Sequence, residues 1–449
     1  MRTMKTSVLN IIVFLLVFSS GVRALGQERL SLEAAIEMAS RGNKTLKIQN
    51  LQELRAKQSV REAKSDFLPS VKFNGSLSRY FDRQVIYLPG SFAGTEKAVQ
   101  DVSVGGLHQY DAVISLNQKL FSKSSKEDFK ASKIAEEIEN EKTADMEGQL
   151  IHEVTKSFYR VLLSQNQLML LEKSLHRNEK ALQDAKSLLI QGKGLKTDTL
   201  QSYIALENLK TSLHYQKSSI DIAKTQLKQL IGLNEEVDIS LEDIFQMGEK
   251  NEDFYIQDQE FPVDELTRHD LSIQKLNIEL EERKLSSIKA TRVPEVSLIG
   301  QYQLQSQEDN FGFKNQPWQN TSFIAVNLSV PIFSGGRTSA KTKQALIRLD
   351  QEKLRKDALY DEVKLEISTI SNEWSNAKMQ YATQKKNVEA AELNYSMVNQ
   401  RYINGIGSKL EVSDAELALT SSQFNYLQAF YNLKIYSSDM QKALGRLKF

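Results

Sequence analysis

The chain has 449 residues, of which 26% are charged and none is cysteine, and its formal net charge is +1. A charge so close to neutral provides no strong field for nucleic acid or for an acidic substrate, so nucleic acid is not expected as a partner. The lack of cysteine excludes metal–thiolate sites and a cysteine-linked lipid anchor, and it is compatible with an oxidising compartment.

Residues 1–26 are typical of a secretory signal peptide. Arg2 and Lys5 form a basic start, Leu9 to Phe18 form an apolar core, and Ala24-Leu25-Gly26 is a cleavage site of the small-x-small type. A membrane anchor is the alternative, but the apolar run is about a dozen residues long and a spanning helix needs ~20. No later segment reads as a transmembrane helix. We therefore expect an exported protein whose membrane-embedded part, if it has one, consists of strands.

The mature chain contains one pattern twice. Ile190–Gly232 aligns with Ile403–Gly445, and Leu46–Gly75 aligns with Leu271–Gly300, with identical residues at many positions. Such a repeat constrains the architecture before any single motif does. Each copy is expected to contain a helix, a pair of strands and two further helices.

This repeat predicts the domain boundaries. The first copy is expected at 27–262, with strands at about 67–121, a tip hairpin at about 190–200 and an acidic linker at 234–262; the second copy is expected at 263–449, with strands at about 292–333 and a tip hairpin at about 403–414.

Each copy changes to a two-residue apolar period after its first helix. Val71–Ser78, Val296–Gln305 and Phe323–Val330 alternate apolar and polar residues, and Asp111–Gln118 does so more weakly. Segments of about ten residues with one apolar and one polar face fit the strands of a transmembrane barrel. A soluble four-stranded sheet packed on the helices is the alternative. The aromatic residues expected at the membrane interfaces are Tyr80, Phe81, Tyr110, Phe121, Trp318, Phe323 and Phe333.

Four strands are too few to close such a barrel, because known transmembrane barrels start at eight. In lipid, an open sheet edge leaves backbone groups without hydrogen-bond partners. The strands would therefore be pooled between subunits. Two chains would supply eight strands around a filled interior, whereas three chains would supply twelve and leave room for a pore.

Two stretches without internal proline, 122–261 and 332–449, are free to form long helices. Apolar residues recur every seven positions from Val154 to Leu189 in the first stretch and from Tyr360 to Tyr402 in the second. This period is typical of coiled-coil packing. A helix from Ser122 to Ile190 would be about 100 Å long, so each copy is expected to contain a helical rod.

Both rods are expected to stop at a Gly-x-Gly sequence, which is Gly192-Lys193-Gly194 in the first copy and Gly405-Ile406-Gly407 in the second. Glycine readily adopts the left-handed conformation that ends a helix. A second helix would then run back in each copy, as far as Gly232 and Gly445.

These residues carry a resemblance to the TolC family of outer-membrane efflux channels. Val330–Arg337, with Pro331, Phe333, Gly335 and Gly336, resembles the family's strand-to-helix corner, and Gln118–Ser122 is a partial version of it. The resemblance covers essentially the whole mature chain in order. The other matching segments are Gly194–Asp198 and Tyr402–Ala415, which resemble the two periplasmic turns, and Ala443–Gly445, which resembles the end of the last helix.

The resemblance implies a homotrimer in the outer membrane of a Gram-negative bacterium. Its twelve-stranded β-barrel would contact outer-membrane lipid and continue as an α-helical coiled-coil tunnel into the periplasm. The implied function is the passive exit duct of a tripartite efflux or type I secretion system. A periplasmic adaptor (membrane fusion) protein and an inner-membrane pump of the RND or ABC type would be its partners.

Two other classes of function compete with this one. A non-enzymatic structural coiled-coil protein of the cell envelope would explain the apolar seams but not the paired strands. An enzyme is not expected, because the sequence contains neither Gly-x-Ser-x-Gly nor His-Glu-x-x-His, and no histidine pair has ligand spacing. We accordingly expect no catalytic residue, no metal site and no cofactor.

The resemblance also suggests residues for a gate. In the family, acidic residues at the positions of Glu411 and Asp414 surround the narrow periplasmic mouth of the tunnel, where three-fold symmetry makes rings of carboxylates. Asp198, after the first Gly-x-Gly, is a further candidate for this lining. The alternative for Asp198 and Glu411 is that each merely favours a helix N-terminus. Tyr402 matches a family tyrosine that helps to hold the mouth closed, or it is simply the last apolar residue of its seam.

The second turn departs from the family at one position. Where well-known members carry a basic residue, this chain has Gly407, and Lys196 or Lys409 could take over its role. The turns are also the expected place for adaptor docking, through Gly192, Gly194, Leu195, Gly405 and Gly407.

Overall fold

The computed structural model describes residues 29–92, 94–242, 266–313 and 317–447. The predicted signal peptide lies outside the described residues, and so does the predicted acidic linker beyond residue 242. The described chain is mainly helical and has one sheet of four strands and one of two, which confirms the expected mixture of helices and strands. None of the described helices combines the length and the apolar character that crossing a membrane requires.

The helices of the described residues form three pairs of similar length, and one further helix precedes them. The 68 and 67 residues of the two long helices, and the 36 and 35 residues of the helices that follow them, match closely. The helices are α1 (Leu32–Gly42), α2 (Lys44–Ser65), α3 (Lys123–Ile190), α4 (Lys196–Ile231), α5 (His269–Ala290), α6 (Arg337–Ile403) and α7 (Lys409–Ala443).

The chain divides into two compact units. The first contains the described residues of Met1–Ile48, Ala144–His269 and Tyr360–Phe449, and the second those of Gln49–Thr143 and Asp270–Leu359. In the first unit, the seven-residue seam of α3 lies at the core: Val154 and Val161 are fully buried together with Phe158 and Tyr431. A buried polar pair accompanies this core, because the amide of Asn166 donates to the hydroxyl of Tyr431 at 3.0 Å.

The second unit contains the four-stranded sheet, whose order is β1-β4-β5-β6 with every pair antiparallel. A two-stranded hairpin interrupts the connection between β1 and β4, where the first copy has extra residues. The strands are β1 (Ser70–Arg79), β2 (Gln84–Leu88), β3 (Gln100–Val104), β4 (His108–Phe121), β5 (Glu295–Glu308) and β6 (Gln319–Ser329).

The register of this sheet separates apolar from polar side chains. Residues paired across strands point to the same face, and successive residues of one strand point to opposite faces. The apolar face is largely exposed in the single chain; Ile324, for example, is 80% exposed. It carries Val71, Phe73, Ile114, Leu116, Leu298, Tyr302, Leu304, Ile324, Val326 and Leu328.

Two of the aromatic residues expected at membrane interfaces lie elsewhere. Tyr110 is only 2% exposed because the loop after β5 folds over it, with the rings of Phe313 and Trp318 at 5.2 and 6.3 Å. Phe323 pairs in register with Gln301, which places it on the polar face, opposite to Ile324. The prediction for these two residues is therefore wrong: strand pairing and loop packing decide their surroundings, and neither is encoded locally.

Two glutamines make the same contacts in equivalent places of the two sequence windows. The side-chain amide of Gln49 donates to the backbone carbonyl and to the carboxylate of Glu139, at 3.4 and 3.1 Å. Gln274 donates to the same two groups of Glu352, at 2.9 and 3.0 Å. One pattern of helix packing thus occurs twice in the second unit.

Candidate functional site: the two helical turns and the strand-to-helix corner

The α3–α4 and α6–α7 turns share one backbone geometry. Gly192 and Gly405 have φ of +68° and +77°, in the left-handed region that favours glycine. Their backbone N–H groups donate to the carbonyls of Leu189 (3.0 Å) and Tyr402 (2.9 Å), which satisfies the last turn of each long helix. Each rod therefore ends where the sequence predicts.

The second glycine of each turn is needed for space instead. A Cβ atom at Gly194 would lie 3.0 Å from the Cβ of Leu188, and one at Gly407 would lie 3.1 Å from the backbone nitrogen of Tyr402. Both distances are tighter than ordinary van der Waals contact. The two turns thus allow a close return of the chain after each long helix.

Two of the predicted acidic residues lie in the first turn of a helix. Asp198 occupies this place in α4 and Glu411 in α7. The backbone N–H of Glu411 donates to the Ser408 hydroxyl at 3.2 Å, so Ser408 caps α7. Glu411 and Asp414 are both exposed in the single chain, whereas Val412 and Ala415 of the same helix are buried.

A buried group lies between the two turns. Lys409 is only 6% exposed, and its Nζ lies 5.9 Å from the ring centroid of Tyr402, which is equally buried. The hydroxyl of Tyr402 has no hydrogen-bond partner within the described residues. We call Asp184, Asp198, Tyr402 and Lys409 the turn cluster.

Two effects within the turn cluster shift the pKa of Lys409 in opposite directions. Burial lowers the pKa of Lys409, and attraction by Asp198, Asp184 and the nearby Glu416 opposes this shift. Burial also raises the pKa of Tyr402, and the same two aspartates raise it further. The structure therefore brings together three residues singled out in the sequence, Asp198, Tyr402 and Lys409, whereas Lys196 stays exposed.

Sequence reasoning missed Asp184 and an ion pair that joins α3 to α7. Nε of Arg177 lies 3.0 and 2.8 Å from the two carboxylate oxygens of Glu416, and the Ser174 hydroxyl donates to the same carboxylate at 2.7 Å. These contacts depend on how two distant helices pack, which no local pattern reveals. Within the described residues, no group of three histidine, aspartate or glutamate side chains could hold a metal ion.

The strand-to-helix corner between β6 and α6 belongs to the second unit. Gly335 and Gly336 have φ of +59° and +77°, and a Cβ on either would meet no described heavy atom within 4 Å. Glycine is thus required here by backbone conformation rather than by space. After Pro331, the side chains of Ile332 and Phe333 are 95% and 88% exposed, so this corner is an apolar surface of the single chain.

The buried lysine leads to a prediction about stability. Because the pKa of Lys409 is lowered from 10.5, the unfolded chain binds more protons than the folded chain between the lowered pKa and 10.5. The free energy of unfolding should therefore rise with pH across that window. Lys409→Met removes the buried charge together with its burial cost, so it is expected to raise the free energy of unfolding at neutral pH and to remove the alkaline rise.

Thermal unfolding of wild type and Lys409→Met at pH 7 and pH 10 checks this prediction. Lys196→Met is the matched control, because Lys196 is exposed at the other turn and its replacement should change the midpoint little. A Lys409→Met protein less stable than wild type would show that attraction by the carboxylates outweighs the cost of burial.

The chain is similar in sequence to known outer membrane proteins. Residues 35–233 and 265–446 match the family of outer membrane efflux proteins. The proteases secretion protein PrtF of Dickeya chrysanthemi is 21% identical over 420 residues, which are 91% of this chain and 88% of PrtF. The outer membrane efflux protein BepC of Brucella suis is 22% identical over 336 residues, which are 74% of this chain and 72% of BepC.

A solved structure shows the same fold. The outer membrane protein VceC of Vibrio cholerae superposes with a TM-score of 0.74 at 14% identity, over 92% of this chain and 96% of VceC. The resemblance to outer-membrane efflux channels is confirmed, and so is the predicted function of such a channel at the level of the family; the structural coiled-coil alternative is not favoured. The chain belongs to the outer membrane efflux protein family.

Proposed function

We propose that this outer membrane efflux protein is the passive exit duct of a tripartite efflux or type I secretion system. Its relatives support both kinds of system, since one is named for secretion of proteases and another for efflux. The duct acts as a homotrimer in the outer membrane of a Gram-negative bacterium, with its helical part in the periplasm. A periplasmic adaptor protein and an inner-membrane pump of the RND or ABC type supply coupling and energy.

One observation carries the proposal: the four-stranded sheet has two open edges and an exposed apolar face. β1 and β6 each pair on one side only within the described sheet. An apolar face of this size, exposed in one chain, fits lipid contact. Because lipid cannot satisfy open edges, β6 of one chain pairs with β1 of the next, and three chains close a barrel of twelve strands with its polar face inside.

Repeated contacts support an internal duplication that suits such a ring. The Asn43 amide donates to the carbonyl of Leu230 at 2.9 Å, and the guanidinium of Arg268 donates to the carbonyl of Ala443 at the same distance. These pairs occupy equivalent positions of the two copies, as the Gln49 and Gln274 contacts do. Each chain accordingly contributes two similar structural repeats to the wall of the duct.

The gate of the duct is proposed at the two turns. Glu411 and Asp414 are exposed, so they are free to line the periplasmic mouth as rings of carboxylates. The turn cluster lies between the two turns, and within it Lys409, rather than the exposed Lys196, takes the place of the missing basic residue. Its ring contact with Tyr402 and its attraction to Asp198 support this assignment.

Adaptor docking is proposed at the same turns. Ile190 and Leu195 beside the first turn are 86% and 67% exposed, and Ile406 and Leu410 at the second are 70% and 63% exposed. Apolar side chains beside glycine-rich turns offer a partner a surface that its own side chains can approach closely. Gly192, Gly194, Gly405 and Gly407 keep this surface free of bulk.

Purification from outer-membrane fractions tests the proposed function. We expect a trimer by cross-linking and mass measurement, and discrete single-channel conductance in planar bilayers. A stable, water-soluble monomer with the full helix content and no channel activity would overturn the proposal.

A further inference from the structure

The polar face of the sheet is rich in side-chain amides. Register places Ser76, Asp111, Gln305 and Gln319 side by side across the four strands. The neighbouring rows on the same face contain Gln109 with Gln307, Gln303 with Val113, and Gln301 with Ser115. Because most of these side chains are uncharged, one carboxylate among them has a large effect on the local potential.

The side-chain amides on β4 and β5 form two series of hydrogen bonds, and both series end at the carboxylate of Asp111. On the loop side, the amide of Gln307 donates to Gln109 at 3.1 Å, and that of Gln109 donates to the Asp111 carboxylate at 2.8 Å. On the other side, Gln301 donates to Gln303 at 3.0 Å, and Gln303 donates to Asp111 at 3.2 Å. The Ser76 hydroxyl adds a contact at 3.4 Å.

This Asp111 network (Ser76, Gln109, Asp111, Gln301, Gln303 and Gln307) fixes the position of the Asp111 carboxylate on the polar face. Successive amide hydrogen bonds polarise one another, and here every donor in both series points toward the carboxylate. Asp111 is half-buried within the single chain, so the network holds it against the sheet without removing it from solvent.

The other charges of this face are too distant to neutralise Asp111. Lys72 lies two rows away, opposite Ser115, which is about 14 Å along the strand at ~3.4 Å per residue. That separation exceeds the screening length of about 8–10 Å at physiological salt. Lys119 and Glu295 lie at the helix-side end of the face, where Lys119 pairs with Asp66 at 3.3 Å.

We infer that Asp111 lines the pore of the membrane barrel and gives it a cation preference, as a ring of three carboxylates held by their amide networks. This inference rests on the proposed trimeric barrel. The ring attracts small hydrated cations and acts in addition to the carboxylates at the mouth. A barrel of twelve strands is wide compared with the screening length, so the effect on selectivity is moderate.

Asp111→Asn tests the inference with the full-length protein in planar bilayers under a KCl gradient. The potassium-to-chloride permeability ratio should fall by about two-fold at 0.1 M salt and change little at 1 M, where screening acts within about 3 Å. Asp111→Glu should retain the wild-type ratio. Glu308→Gln is the matched control, because Glu308 pairs with His108 on the opposite face, and it should leave the ratio unchanged.

A labelling experiment tests separately whether the polar face of the sheet lines the pore. The chain has no cysteine, so Gln303→Cys and Leu304→Cys each introduce one thiol, on the polar and apolar faces respectively. A charged, membrane-impermeant thiol reagent should change the conductance of Gln303→Cys channels only. Channels whose ratio is unchanged by Asp111→Asn would overturn the inference, whereas wild-type protein that forms neither trimers nor channels would overturn the proposed function instead.

Discussion

Replacing both Gly335 and Gly336 with valine is expected to abolish assembly of the protein in the outer membrane. Both residues have positive φ, +59° and +77°, a region that β-branched residues avoid. Forcing an L-residue into it costs roughly 1–2 kcal/mol per position, or about 2–4 kcal/mol per chain. In the proposed trimer the cost would recur in every chain, and the strain lies where β6 is followed by the long helix α6.

Two matched variants separate backbone strain from bulk. Asparagine tolerates the left-handed region better than valine, so replacing both glycines with asparagine should allow partial assembly. Gly312→Val adds the same side chain in the loop after β5, where φ is not in the left-handed region and no described heavy atom approaches the added Cβ within 4 Å. Heat-resistant trimers in outer-membrane fractions provide the measurement. Normal amounts of active trimer from the valine pair would mean that the corner needs no left-handed backbone.

The features that sequence predicted well are those with a local period or a local conformational requirement. The seven-residue seam from Val154 to Leu189 predicted one long helix, and the left-handed conformation of Gly192 ends that helix where the pattern stops. Strand alternation in Phe323–Val330 predicted the later part of β6, which begins earlier, at Gln319, and ends at Ser329. Such signals depend on neighbours along the chain, so one sequence suffices to read them.

The features that sequence could not predict depend on residues that are distant along the chain. The β2–β3 hairpin is not predicted by the alternation pattern, because β2 contains the consecutive apolar residues Val85, Ile86, Tyr87 and Leu88. In the sequence, Asp111 lies in a segment that alternates only weakly. The register with β5 is what brings Gln303 beside it. At the turns, likewise, a buried lysine is explained by the packing of helices from both copies and not by the residues next to it.

Removing both exposed carboxylates of the second turn, with Glu411→Gln and Asp414→Asn, is expected to reduce the cation preference of the channel strongly. In the proposed gate, each chain would contribute two charges to a narrow opening, where charges of one sign focus the local potential and concentrate counter-ions by about ten-fold or more. The permeability ratio of potassium to chloride should therefore fall by roughly an order of magnitude at low salt. Block by divalent or trivalent cations from the periplasmic side should weaken in parallel.

The fold should tolerate this double change, which makes the selectivity measurement interpretable. Glu411 interacts with the helix N-terminus, and losing a charge there costs about 0.3–1 kcal/mol, while the Ser408 cap and the buried side of α7 stay intact. Asp361→Asn with Glu362→Gln is the matched control, since it removes the same charge from exposed positions of α6. If the turn variant and this control both keep wild-type selectivity and cation block, Glu411 and Asp414 point away from the conducting path. Glu411 would then act only at the start of its helix, and the gate would have to be sought in the turn cluster itself.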